Sequence, residues 1–263
     1  MRFADLTAPE IRALSRENVL ILAPIAACEQ HGPHLPVATD AILCGAVADG
    51  VEAALPGRVL LLPTLWLGAS EHHLPFGGTL TATLPTYEQI LVELLTPMLR
   101  DGFRRFLALN GHGGNNDPLC VALRRLDVVF PAAVLTGAAY WQLAEAGLAS
   151  HCKGPRTTVG HACEIETSMM LHLRPDLVRR DLVADDPDAR PPGLAGLAWA
   201  RDFGRATDHG VVGHPSFADA GRGRLMLEAA VRAVAEVAGR VLELPVGGEV
   251  HHKGTKTTKE IKS

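Results

Sequence analysis

Apolar residues run almost without interruption through "NVLILAPIAA" (18–27), "RVLLLPTLWL" (58–67), "RRFLALNG" (104–111) and "AAVLTGAA" (132–139). Near-continuous rather than alternating runs of this length predict strands buried on both faces. Between them, "DAILCGAVADGVEAAL" (40–55), "PTYEQILVELLTPMLRDG" (85–102) and "NDPLCVALRRLDVVF" (116–130) carry apolar residues at helical spacing. A further apolar helical stretch opens at Glu166, Thr167 and Ser168. Strand and helix alternate over short connections, so right-handed crossovers and a mainly parallel sheet with helices on both faces are expected: an α/β fold of three αβα layers. No internal repeat interrupts the pattern. The Pro/Gly/Asp-rich stretch 185–196 reads as an excursion or flap within one domain over 1–249, and the lysine-rich end, 250–263, as a solvated, poorly ordered tail.

Composition narrows the partners. The chain has 263 residues, 47% of them hydrophobic, and a formal net charge of -4, which gives no basic field for nucleic acid or an anionic membrane surface. Its start, "MRFADLTAPEIRAL", carries acids and no continuous apolar segment, so neither a secretory signal nor a membrane span is expected there. Five cysteines without a Cys-x-x-Cys pair fit a reducing cytoplasm better than a disulfide framework. A small-molecule or peptide substrate is the default.

The chemistry gathers where strands end. In an open α/β sheet ligands bind beyond the carboxyl ends of the strands. The first predicted strand delivers Glu29, His31, His34 and Asp40 within twelve residues, and the third delivers Asn110, His112, Asn115 and Asn116 on a turn containing Gly111, Gly113 and Gly114. A third cluster is His161 followed by Glu166. Several ionisable groups at the ends of buried strands cost several kcal/mol each unless a cation pairs them. Mixed carboxylate and imidazole donors suit zinc, manganese or iron and not a thiolate site. His172 and His209 are isolated and read as ordinary surface or core residues. The "GHGGN" turn offers backbone N–H groups, and Asn115 an amide, to an oxygen that becomes negative during acyl transfer; a phosphate cradle would use the same geometry, but no Lys-Ser/Thr follows, which argues against a P-loop.

The order "EQHGPHLPVATD", "GASEHHLPFGGTLT", "NGHGGNN", "GHACEIETSMML" resembles the creatininase family of metal-dependent amidohydrolases, over about 150 residues. The resemblance implies two divalent ions per chain, one on Glu29 and His112, the other on His31 and a further glutamate, with Asp40 bridging. Water held between two such ions loses a proton near neutral pH, so hydroxide would be the nucleophile on an amide carbonyl. His161 resembles the family's proton-shuttling histidine and would protonate the leaving nitrogen. His73 would contact substrate, with Ser70 and Glu71 as wall residues, and Trp66, Phe76 and Trp141 could line a pocket for a planar ligand. Creatininases in the narrow sense carry a ligand glutamate two residues after the third-motif histidine, where this chain has Gly114. Glu166, in the "ETS" position, is the replacement that the resemblance offers as ligand and catalytic group, with Glu164 the alternative; Cys163 stands where glycine is usual and reads as a packing change. Relocating the carboxylate would open room beside His112 and favour an amide bulkier than creatinine. Branches of the family open a cyclic amide, remove a formyl group, or cleave a short modified peptide in mycofactocin maturation. Family members form cyclic homo-oligomers, often hexamers. A metal-binding protein without turnover is the competing reading.

Overall fold

The computed structural model describes residues 1–187 and 202–247. Most of the 185–196 excursion and the whole 250–263 tail lie outside the described residues. A short helix α1 (Ala8–Ala13) precedes β1 (Leu20–Ile25), α2 (Thr39–Ala54), β2 (Val59–Leu61), α3 (Leu84–Arg100), β3 (Arg105–Asn110), α4 (Asn116–Val129) and β4 (Val134–Ala139). Two short helices, α5 (Tyr140–Leu143) and α6 (Glu145–Ala149), lead to α7 (Glu164–Leu173), α8 (Phe203–Ala206) and the long α9 (Ala220–Glu243). The strands form one parallel sheet in the order β2-β1-β3-β4, with Leu22 paired to Leu61 on one side and to Leu107 on the other.

The central strand explains its own sequence. Leu20 and Leu22 face a core built with α2, α7 and α9, while Ile21 and Ala23 face a second core built with α3 and α4. Both faces are covered, so no polar position is tolerated between Leu20 and Ile25, and each leucine or isoleucine side chain taken fully from water contributes about 1.5–3 kcal/mol. The three-layer reading is therefore correct.

Two strands depart from expectation. β2 keeps only Val59–Leu61, because Pro63 supplies no N–H to a ladder; beyond it, Leu65 rejoins β1 through a single bridge to Ile25. β4 lies at the sheet edge, and of its residues only Ala139 is buried, so burial on both faces holds for β1 and β3 and not for 132–139. Helix α9 was not anticipated, although Met226, Ala229, Ala230, Val234, Ala238 and Val241 recur at intervals of three and four residues. Asp219 caps it by accepting from the Arg222 N–H. A Cβ on Gly223 would lie 1.8 Å from the Ser168 carbonyl oxygen, so only glycine lets α9 approach α7 this closely.

Candidate metal centre at the carboxyl ends of β1 and β3

β1 and β3 lie side by side, with Ile25 paired to Asn110, and each runs directly into a polar loop. The first loop carries Glu29 and His31 and ends at the start of α2, where Asp40 lies in the first turn; the second carries His112. All four are buried. His31 Nε2 lies 3.1 Å from Asp40 Oδ1, and His112 Nδ1 lies 3.2 Å from Asp40 Oδ2 and 3.1 Å from Glu29 Oε1. Backbone carbonyls set the ring orientations. His31 Nδ1–H donates to Glu29 O (3.1 Å) and His112 Nε2–H to Ala69 O (3.2 Å), leaving the opposite nitrogen of each ring turned to the carboxylates.

Glu166 completes the group from the other side of the cleft. It is the third residue of α7, and its Oε2 accepts the Cys163 N–H at the helix start, which directs Oε1 to within 4.0 Å of His31 Nε2. Glu164 points elsewhere: its two oxygens accept the Lys153 and Gly154 N–H groups, each at 2.8 Å. Immediately before the helix, Ala162 has a φ of 49°, a left-handed conformation rarely adopted by a residue with a Cβ, and this sharp turn separates His161 from Cys163. Cys163 is buried, and burial with the nearby Glu166 charge pushes its thiol up to about 12, so it packs as a neutral group.

A network of histidines stands behind Glu29. His161 Nε2 lies 2.7 Å from the Gln30 carbonyl oxygen and must donate to it, which leaves Nδ1 unprotonated and 3.7 Å from Glu29 Oε1. Gln30 Nε2–H in turn donates to His73 Nδ1 (2.8 Å), which puts the His73 proton on Nε2, 3.2 Å from Glu29 Oε1 but outside hydrogen-bond geometry. Phe203, at the start of α8, packs against this pair, its ring tilted over His73 with centroids 4.1 Å apart and edge-on to His161 with centroids 4.9 Å apart.

Burial alone would lower the pKa of every imidazole here, and the neighbouring charges sort them. Asp40, with Glu166 and Glu29, overcomes burial and raises His31 to about 9; Glu29 and Asp40 raise His112 well above 6.5. Burial together with the positive histidines lowers His161 and His73 well below 6.5. Glu166 is pushed up to about 7 by burial and Asp40, against the pull of His31.

The donor set fits metal ions. Glu29 Oε1 and Oε2, His31 Nε2 and Asp40 Oδ2 are buried polar atoms without a hydrogen-bond partner. Glu29, Asp40 and His112 form one group whose ligand atoms lie within 4.8 Å of one another; His31, Asp40 and Glu166 form a second, and Glu29, His31 and His161 a third. All donors are oxygen or imidazole nitrogen, as zinc, manganese or iron would accept.

A cavity of about 220 Å³ opens on these groups, lined by Glu29, Asp40, His112, Gly113, Trp141 and His161 among others. Of the residues expected at the substrate, only Gly113 and Trp141 line it. Ser70 is fully buried, its Oγ 3.2 Å from His112 Nε2; His73 is turned to Glu29; and Asn115 is enclosed, accepting from Ala69 N–H and donating to Ala26 O and Asn110 Oδ1. Glu71 is exposed, and Trp66 is 51% exposed and absent from the cavity wall, so neither the core nor the pocket holds it. The expected room beside His112 is not found at Gly114. A Cβ at Gly114 would meet Ala69 O at 2.2 Å, His112 Nε2 at 2.5 Å and His72 Cε1 at 2.8 Å.

Sequence reasoning missed Gln30, Phe203 and the partner of His34, whose Nε2–H donates to Thr167 Oγ1 (2.9 Å) on α7. Gln30 lies inside the first motif, where a polar residue flanked by two metal-ligand candidates was the available signal. Phe203 follows a Gly/Pro-rich stretch with no periodicity, and nothing local marks it.

The chain is similar over most of its length to proteins of known fold and name. It is 32% identical to the mycofactocin precursor peptide peptidase of Mycobacterium tuberculosis (strain CDC 1551 / Oshkosh) over 238 residues, 86% of this chain and 87% of the relative. A solved creatininase in a Mn form superposes with a TM-score of 0.75 at 27% identity, covering 91% of this chain and 97% of that one. A mutant creatininase of Zn-Zn type gives the same TM-score at 28% identity, again over 91% and 97%. Residues 4–238 match the creatininase family, described as creatinine amidohydrolase, and with that span the chain belongs to the creatininase family.

Proposed function

We propose that the protein hydrolyses an amide C–N bond with two divalent cations, and one observation carries this reading: the two oxygens of Asp40 face two different imidazoles. Glu29, Asp40 and His112 would hold one ion, and His31, Asp40 and Glu166 the other. When bound, a pair of zinc, manganese or iron ions supplies the Lewis acidity that lets water attack a carbonyl near neutral pH.

The protein's own groups supply the rest. Nδ1 of His161 carries no proton, lies at the cavity wall and is fixed by the bond from Nε2–H to Gln30 O, so it can take a proton and deliver it to the departing nitrogen. His73 and Gln30 hold Glu29 and His161 in register, while Ser70 and Asn115 hold the loops on which His112 stands. Gly113 offers the open backbone at the cavity, where an added Cβ would meet nothing within 4 Å, and Trp141 forms a wall for the substrate.

A cyclic amide or formamide is one substrate class. Cleavage of a short modified peptide is the second, favoured by the likeness to the mycofactocin peptidase. The enzyme reading requires two metals per chain, and a purely structural site one fully ligated ion. Metal analysis of protein purified without chelator, followed by assay against creatinine, formamidopyrimidines and short peptides, tests it; one tightly held ion and no turnover on any amide would overturn it. A cytoplasmic homo-oligomer, hexameric by family likeness, belongs to the same proposal. The five free cysteines and the half-buried edge strand β4 support it, and a monomeric mass by light scattering at micromolar concentration would remove the oligomer.

A further inference from the structure

A second cavity, of about 300 Å³, lies against the metal-side cavity and shares Trp141 and Val159 with it. Its floor is apolar, formed by the buried Leu148 and Ile165; its rim is polar, formed by Gln142, Glu145, Thr157 and Thr158. No hydrogen bond or ion pair among the described residues engages these four rim side chains. The metal-side cavity alone falls below the roughly 300–1,000 Å³ of typical small-molecule sites, whereas the two together fall inside that range. A substrate confined to the inner cavity would leave a polar-rimmed hollow directly beside it unused.

Resting on the amidohydrolase reading, we infer that the outer cavity is a subsite for the distal part of an extended amide substrate carrying a cationic, hydrogen-bond-donating end, with Glu145 receiving the cation and Trp141 flanking the connecting chain. The substrate class is then an acyclic, peptide-like amide rather than a compact ring. Among the described residues that line the rim, the Glu145 carboxylate is the one charged group, and Gln142 and the two threonines add uncharged acceptors around it.

The test uses the zinc-loaded full chain and three probes: creatinine, tetraglycine and N-acetyl-tetraglycine. Extended, four residues span about 13 Å, enough to run from the inner cavity past Trp141. Affinity is read as Kd by calorimetry where a probe is not cleaved and as KM where it is. Tetraglycine, with its free amine, should bind roughly three- to fivefold more tightly than its acetylated form, the range of an exposed ion pair. Glu145→Gln should erase that difference, and Thr157→Trp, which fills the hollow, should weaken both peptides by about tenfold, with metal per chain and the circular dichroism spectrum unchanged. Equal affinity for the two peptides in the native protein, or a preference that survives Glu145→Gln, would overturn the subsite. Hydrolysis of creatinine without any peptide preference would sink the subsite and leave the amidohydrolase reading standing. A retained preference without hydrolysis of any amide would do the reverse.

Discussion

Asp40 reaches His31 with one carboxylate oxygen and His112 with the other, at 3.1 and 3.2 Å, so a single side chain joins the loop after β1 to the loop after β3. Asp40→Asn keeps the shape and removes the charge, and one of its two arms becomes a donor. Both metal affinities should fall by about 100-fold or more, whereas His112→Ala should weaken one ion and largely spare the other. Metal per chain after dialysis against a weak chelator distinguishes the two patterns; two tightly held ions in Asp40→Asn would exclude a bridging role.

Glu164 and Glu166 are two residues apart and do different work. Glu164→Gln loses two charge-assisted bonds from Lys153 and Gly154 and should destabilise the fold by about 1–3 kcal/mol in urea unfolding, with metal content intact. Glu166→Gln should instead lower the content of one ion. Exchange of these two outcomes would reverse their assignment.

His34 predicts a limb of acid sensitivity. Burial and the neighbouring His31 hold its pKa down at about 4, below the ordinary 6.5. Between those values the unfolded chain binds the proton and the folded chain does not, so stability rises with pH from about 4 to about 6.5 and its contribution is level above. The span is worth on the order of 3 kcal/mol. Unfolding of metal-free wild type and His34→Gln at several pH values isolates it: the difference between the two should change across this window and be constant above it.

Phe203 packs against the His73 ring and meets the His161 ring edge-on. Phe203→Ala should leave metal content unchanged and reduce turnover on the order of 10- to 100-fold, the cost of a slightly misplaced proton carrier, while Phe203→Leu restores part of it. An unaltered pH–rate profile in Phe203→Ala would show that the ring does not position His161.

The layers and the gathering of candidate metal donors were legible in the sequence because each is a local signal. Runs such as 18–27 announce burial on two faces, and Glu29, His31, Asp40 and His112 are ionisable groups at strand ends where an apolar core has no use for them. What was not legible depends on contacts distant in sequence. Whether Ser70, His73 and Asn115 face substrate or brace the loops is decided by partners 42 to 89 residues away, such as His112 for Ser70 and Ala26 for Asn115. The edge position of β4 follows from strand order, which its own residues do not encode. Which of Glu164 and Glu166 lies near His31 depends on rotation about α7, and a two-residue shift turns a helical side chain by about 200°.

The crowding at Gly114 also bears on what the turn tolerates. With the Ala69 carbonyl, His112 and His72 already filling the space a Cβ would take, a glutamate cannot be placed there by one substitution without displacing at least one of them. Any side chain at position 114 therefore requires the 69–73 segment to move with the third-motif turn, so the two loops that flank the cavity can change only together.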